Sequence, residues 1–110
     1  MYASHYDHEQ KKFATVELTK ENIKAFEKDS IESDTLIKFD SIQLATANTQ
    51  IYNHNIETGE ITINICKDCG RSFIITKKEA DWFKDKQYSL PARCYPCRKK
   101  RKAEKAKTNQ

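Results

Sequence analysis

The chain has 110 residues, 37% of them hydrophobic and 33% charged, with 20 Lys+Arg against 16 Asp+Glu for a net charge of +4. A chain this short and polar excludes a large core or several independent domains. It contains no apolar run of membrane-spanning length and its first ten residues are polar, so a soluble cytoplasmic protein with no membrane partner is expected.

Residues 1–12 are polar and read as a flexible N-terminus, and His5 and His8 within them, like the isolated His54, read as solvated. Phe13-Ala-Thr-Val-Glu-Leu18 suits a short strand. A helix is expected to begin at Thr19, a good N-cap, with Leu18 and Ile23 placed as a hydrophobic staple and Ile23 and Phe26 as an apolar stripe running to about Lys28. From Thr35 the pattern turns to β. Thr35–Phe39, Ser41–Thr46 and Gln50–Asn53 are rich in branched residues and read as strands, and Glu57-Thr58-Gly59-Glu60 reads as a hairpin turn. Ile61, Ile63 and Ile65 alternate and are expected to face one core.

All four cysteines lie in the next stretch, Cys66-Lys-Asp-Cys69-Gly70, then twenty-three residues, then Cys94-Tyr-Pro-Cys97. Two C-x2-C pairs supply four soft thiolates, the donor set of a closed tetrahedral Zn2+ site. Gly70 suits a tight knuckle after the first pair. The second pair precedes Arg98-Lys-Lys-Arg-Lys-Ala-Glu-Lys-Ala-Lys107, a run of good helix formers, with Pro96 suited to a first helical turn. A knuckle plus a helix start is the treble-clef way of building a four-cysteine site. Disulfides are disfavoured by the lack of a secretory leader, and a dithiol redox site by the presence of two matched pairs. Iron in a rubredoxin-like site stays as an alternative, although only Cys69 is followed by glycine.

Between the pairs, Ser72-Phe-Ile-Ile75 reads as a strand, and Thr76 with Glu79 as the capping box of a helix reaching Gln87. Ala80 and Phe83 share a face of that helix. Trp82 is expected to cover the zinc module, with base stacking as the alternative. Arg71, Arg93 and Arg98 are placed to donate to the anionic sulfurs.

At these residues a resemblance becomes specific. The run Cys66-Lys-Asp-Cys69-Gly70-x-x-Phe73, followed by Thr76-x-x-Glu79, Trp82-Phe83, Pro91 and Arg93-Cys94-x-x-Cys97-Arg98-Lys99, resembles the small bacterial and phage "probable zinc-ribbon" family of treble-clef type, over residues 62–102. That resemblance implies a fold and a metal and no chemistry. One departure is Gln87-Tyr88-Ser89, where the family pattern has an aromatic-glycine pair.

The reading is therefore an α+β protein, a small antiparallel β-sheet with a short helix joined to a treble-clef-like zinc module that ends in a basic helix. Its divisions are residues 1–12, a small α+β region at 13–65, a zinc module at 66–102 and a basic tail at 103–110. Residues 1–65 carry 6 Lys against 11 Asp+Glu, and residues 66–110 carry 14 Lys+Arg against 5, which splits the charge into −5 and +9. The basic half suggests DNA or RNA as partner, with Arg93, Arg98, Lys99, Lys100, Arg101, Lys102 and Lys105 as phosphate contacts. The alternative is a protein partner engaged by the acidic half, making the chain an adaptor or inhibitor, including a phage-encoded one, of a nucleic-acid-handling enzyme. Catalysis is not expected: no nucleophile has a visible base, two glycines make no phosphate loop, and four thiolates leave zinc no open position.

Overall fold

A computed structural model describes residues 1–108, with side chains through Glu104. Three strands, β1 (Tyr2–Asp7), β2 (Lys12–Glu17) and β3 (Leu36–Phe39), form an antiparallel sheet in the order β2-β1-β3. The N-terminal stretch read as flexible is thus the central strand. Its turn is made by Asp7, whose Oδ1 accepts from the backbone N–H groups of Glu9 at 2.8 Å and Gln10 at 3.1 Å. That geometry brings Tyr6 opposite Phe13 and Tyr2 opposite Glu17. Ala3 and Ser4 are fully buried although the segment looks polar, because each face of the sheet is covered by a helix.

One face carries Ala3, Val16 and Leu36 and packs against Ile23 and Phe26 of α1 (Ile23–Asp29), with Leu18 closing the cluster. The helix starts four residues later than Thr19. Thr19 and Asn22 bond reciprocally, Thr19 N–H to Asn22 Oδ1 at 2.8 Å and Asn22 N–H to Thr19 Oγ1 at 3.2 Å, and this turn is completed before the helix begins.

The other face is covered by α2 (Ile42–Thr58), and here the strands expected at Ser41–Thr46 and Gln50–Asn53 are replaced by one 17-residue helix. Ser41 caps it by accepting from Leu44 N–H, and Gly59 ends it in the left-handed region at φ 82°, serving a helix C-terminus rather than the expected hairpin turn. The buried side of α2 is largely polar. Thr49 Oγ1 lies 2.9 Å from Ser4 Oγ and 3.0 Å from Thr15 Oγ1, while Asn53 accepts from Phe13 N–H at 2.7 Å and donates to its carbonyl at 3.0 Å. The asparagine amide thereby occupies both backbone groups of a residue on an edge strand, where a neighbouring chain could otherwise add.

A second, two-stranded sheet is formed by β4 (Ile61–Ile65) and β5 (Ser72–Thr76), paired antiparallel from Ile61–Thr76 to Ile65–Ser72. Ile61 and Ile63 are half-buried as expected, but Ile65 is 53% exposed at the start of the knuckle. Two helices follow, α3 (Lys77–Asp85), which has the expected Thr76–Glu79 capping box, and α4 (Tyr95–Thr108). A seam of small hydroxyls joins the two sheets. Buried Thr35 donates to the Ser72 carbonyl at 2.8 Å and accepts from Ser72 Oγ at 2.9 Å and from Ile31 N–H at 3.2 Å, and Asp34 Oδ2 accepts from Ile74 N–H at 2.8 Å. The seam fixes β5, and through it the cysteine site, against the first sheet.

Candidate metal centre

The hairpin β4–β5 carries the first pair of cysteines at its tip. Cys66 N–H donates to the Arg71 carbonyl at 2.9 Å and Gly70 N–H to the Cys66 carbonyl at 3.0 Å, which closes the knuckle. Gly70 has φ 75°, and a Cβ there would meet nothing within 4 Å. Backbone conformation, not space, is what requires glycine at that position. Two further bonds bring the second pair up to the first: Lys67 N–H to the Ala92 carbonyl at 2.9 Å, and Asn64 Nδ2 to the Pro91 carbonyl at 3.0 Å. Arg98 N–H then donates to the Cys94 carbonyl at 3.0 Å, the first bond of α4, so Cys94 and Cys97 lie three residues apart at a helix start.

The four Sγ atoms lie within 4.8 Å of one another, and those of Cys69 and Cys94 are 3.7 Å apart. A tetrahedral Zn2+ with bonds of about 2.3 Å places its sulfurs about 3.8 Å apart, so the cluster has the size the ion needs. The acid–base behaviour of the thiols agrees. Burial pushes the Cys66 thiol up, but backbone N–H groups of Cys69, Cys94 and Asp68 bring it down to about 6. Cys97 is pushed up to about 12, first by its hydrogen bond with Cys94 and then by burial. Four crowded sulfurs cannot all be thiolates without a cation among them, and Zn2+ supplies that charge. Cys66 and Cys94 are buried with Phe73 and Ile75, and Ile31, Ala80 and Cys97 pack around them. This is the Zn2+ site of the protein. Among the described residues it is the one group of three or more His, Cys, Asp or Glu side chains able to hold a metal, and His5, His8 and His54 are not part of it.

Trp82 does not cover the site. It is 52% exposed on α3, edge-on to Phe83 at 5.1 Å and tilted against Tyr88 at 6.2 Å, because Phe73 and Ile75 already fill the space beside the sulfurs.

The arginines also differ from expectation. Asp68, between the first two cysteines, accepts from Arg101 Nε at 2.7 Å, from a second Arg101 nitrogen at 3.0 Å and from Arg93 Nε at 3.1 Å. The paired Arg101, offset by partial desolvation and aided by Arg93, holds the Asp68 carboxyl down to about 2. Arg93 and Arg101 therefore clasp the knuckle to the start of α4, with the Arg101 side chain still 57% exposed. Arg98 is half-buried and lines a cleft with Asp34 and Glu79. Lys99, Lys100 and Lys102 are exposed, while the side chain of Lys105 lies outside the described residues. Two residues were missed in the sequence. Asp68 looked like one more charge in a polar knuckle, although its fixed place between two ligands and the paired arginines downstream were the available signal. Tyr95, 67% exposed, heads a row on α4 that continues one and two turns later at Lys99 and Lys102.

Residues 62–106 match a family described as "Probable treble clef domain". The match spans the β4–β5 hairpin, all four cysteines and most of α4, so a zinc-binding treble-clef module is the class of protein that this part of the chain represents. It covers less than half of the chain and leaves the first sheet outside. No curated protein and no solved structure matches the chain.

Proposed function

We propose that the protein is a non-catalytic, zinc-stapled nucleic-acid-binding module that lays α4 along a phosphate backbone in a reducing compartment, where its thiolates stay available to zinc. The observation that carries this reading is the outward row Tyr95, Lys99, Lys102, with Lys100 beside it, on a helix whose start is held by two zinc ligands. A cationic helix with no apolar face has nothing to bury in a core, and its fixed direction keeps the lysines together where phosphates can meet them. A tyrosine at the head of the row offers a ring to a base or a sugar. Four thiolates leave zinc no position for water, so the metal's role is structural. Among the described residues no helix is long and apolar enough to cross a membrane.

The test is a fluorescence anisotropy titration with duplex and single-stranded oligonucleotides at several salt concentrations. Replacing Lys99, Lys100 and Lys102 by glutamine is expected to flatten the duplex salt slope by about 2.7, at about 0.9 per phosphate contact. Absence of binding at low salt, or binding that the triple variant leaves unchanged, would refute the proposal.

A further inference from the structure

Residues 41–56 contain no Asp, Glu, Lys or Arg, in a chain where a third of the residues are charged. They comprise the N-cap and all but the last two residues of α2. The inward side of that helix is occupied by the first sheet through Ala45, Thr49 and Asn53. The opposite side carries Leu44, Ala47, Ile51 and His54, spaced three, four and three residues apart, which is the alternation that forms a seam between two packed helices. All four are exposed, Leu44 by 58% and Ile51 by 57%.

We propose that this side of α2 is the contact with a second copy of the chain, the two helices lying antiparallel about a two-fold axis. The charge pattern selects that occupant. A two-fold contact sets a surface against itself, so a charged patch repels its copy, whereas an uncharged one does not. The flanking Gln43 and Gln50 are exposed amides that both donate and accept, so each can bond its own kind across the axis. In the antiparallel register centred between Ala47 and Ile51, each Ala47 meets Ile51 of the second copy, small against large, and Leu44 meets His54. The 17 residues of α2 span about 25 Å and the helix is about 10 Å wide, a footprint of about 250 Å² per copy, so the contact is smaller than that of a stable dimer and the association is weak and transient.

Sedimentation equilibrium on the zinc-loaded full chain, from about 1 to about 300 µM, is expected to show a mass rising from one chain toward two. Ile51→Lys and Ala47→Glu, both at exposed positions, are expected to keep the zinc content and circular dichroism of the parent while weakening association at least about tenfold. An equimolar mixture of the two variants is expected to recover association, because the new ammonium and carboxylate then face each other. A parent chain that stays monomeric throughout, or a single variant that associates as tightly as the parent, overturns the proposal, and a mixture that stays monomeric overturns the antiparallel register.

Discussion

Asp68 divides the basic charge of the second half into a structural part and a binding part, and Asp68→Asn should reassign it. The carboxylate holds Arg101 by two bonds of 2.7 and 3.0 Å and Arg93 by one of 3.1 Å, while Arg98 turns into a cleft. Three described lysines, 99, 100 and 102, remain for phosphate, so the parent's duplex salt slope is expected near −2.7, or near −3.6 with Lys105 included, at about 0.9 per contact. Asparagine removes the anion but keeps the backbone N–H that donates to Cys66, so zinc content is expected to stay the same. Two released guanidinium groups should then steepen the slope by up to about 1.8 and tighten binding at low salt. Anisotropy titrations of parent and variant across salt concentrations, with zinc quantified in both, provide the test. An unchanged or shallower slope in the variant would refute the division, as would a parent slope near −6.3, the value expected if all seven residues from Arg93 to Lys105 made contact.

The hydroxyl seam should be costly to break. Thr35→Val keeps the shape but leaves the Ser72 carbonyl without the Thr35 donor and Ile31 N–H without an acceptor, each worth about 1–3 kcal/mol when buried, so urea unfolding is expected to show a loss of about 2–4 kcal/mol. A loss under about 1 kcal/mol would mean that water or a shifted backbone replaces the bonds. Asp34 gives a pH-dependent prediction. Its carboxyl is raised above the ordinary 3.8, first by burial and also by Glu79, against the opposing Ile74 N–H bond. The folded state therefore holds that proton more tightly than the unfolded one, and the associated stability is present below the unfolded pKa and lost as pH rises through the raised value. Compared at each pH with Asp34→Asn, the parent is expected to lose stability across that window and then level off. A pH-independent difference in unfolding midpoint would contradict the burial of Asp34.

The cysteine module was legible because its signals are chemical and local. Ligand spacing, Gly70 at φ 75°, and the Thr76–Glu79 box each specify one conformation whatever surrounds them. Helix α2 was not legible, because its buried side is Ala45, Thr49 and Asn53 while the large aliphatic Leu44 and Ile51 face outward, so no hydrophobic stripe marked the period. Branched residues then pointed to strands, although no Gly or Pro between Ser41 and Gly59 supplied the turns that two strands need. Strand β1 was missed for a related reason. Ser4 is buried by a partner hydroxyl, Thr49, that lies 45 residues away, and polar pairs of that kind are set by tertiary packing alone. The Asp68 clasp belongs to the same class, its acceptor 25 and 33 residues from its donors.

The central claim is that one zinc ion bound by Cys66, Cys69, Cys94 and Cys97 fixes the start of α4. Zinc quantification and thiol titration of native protein, repeated after a strong chelator, test it most directly. One zinc per chain, four thiols that react only after chelation, and loss of helical circular dichroism when the metal is removed are the predicted result. A chain free of metal whose cysteines are joined as disulfides, or one whose helix content is indifferent to the chelator, would contradict it.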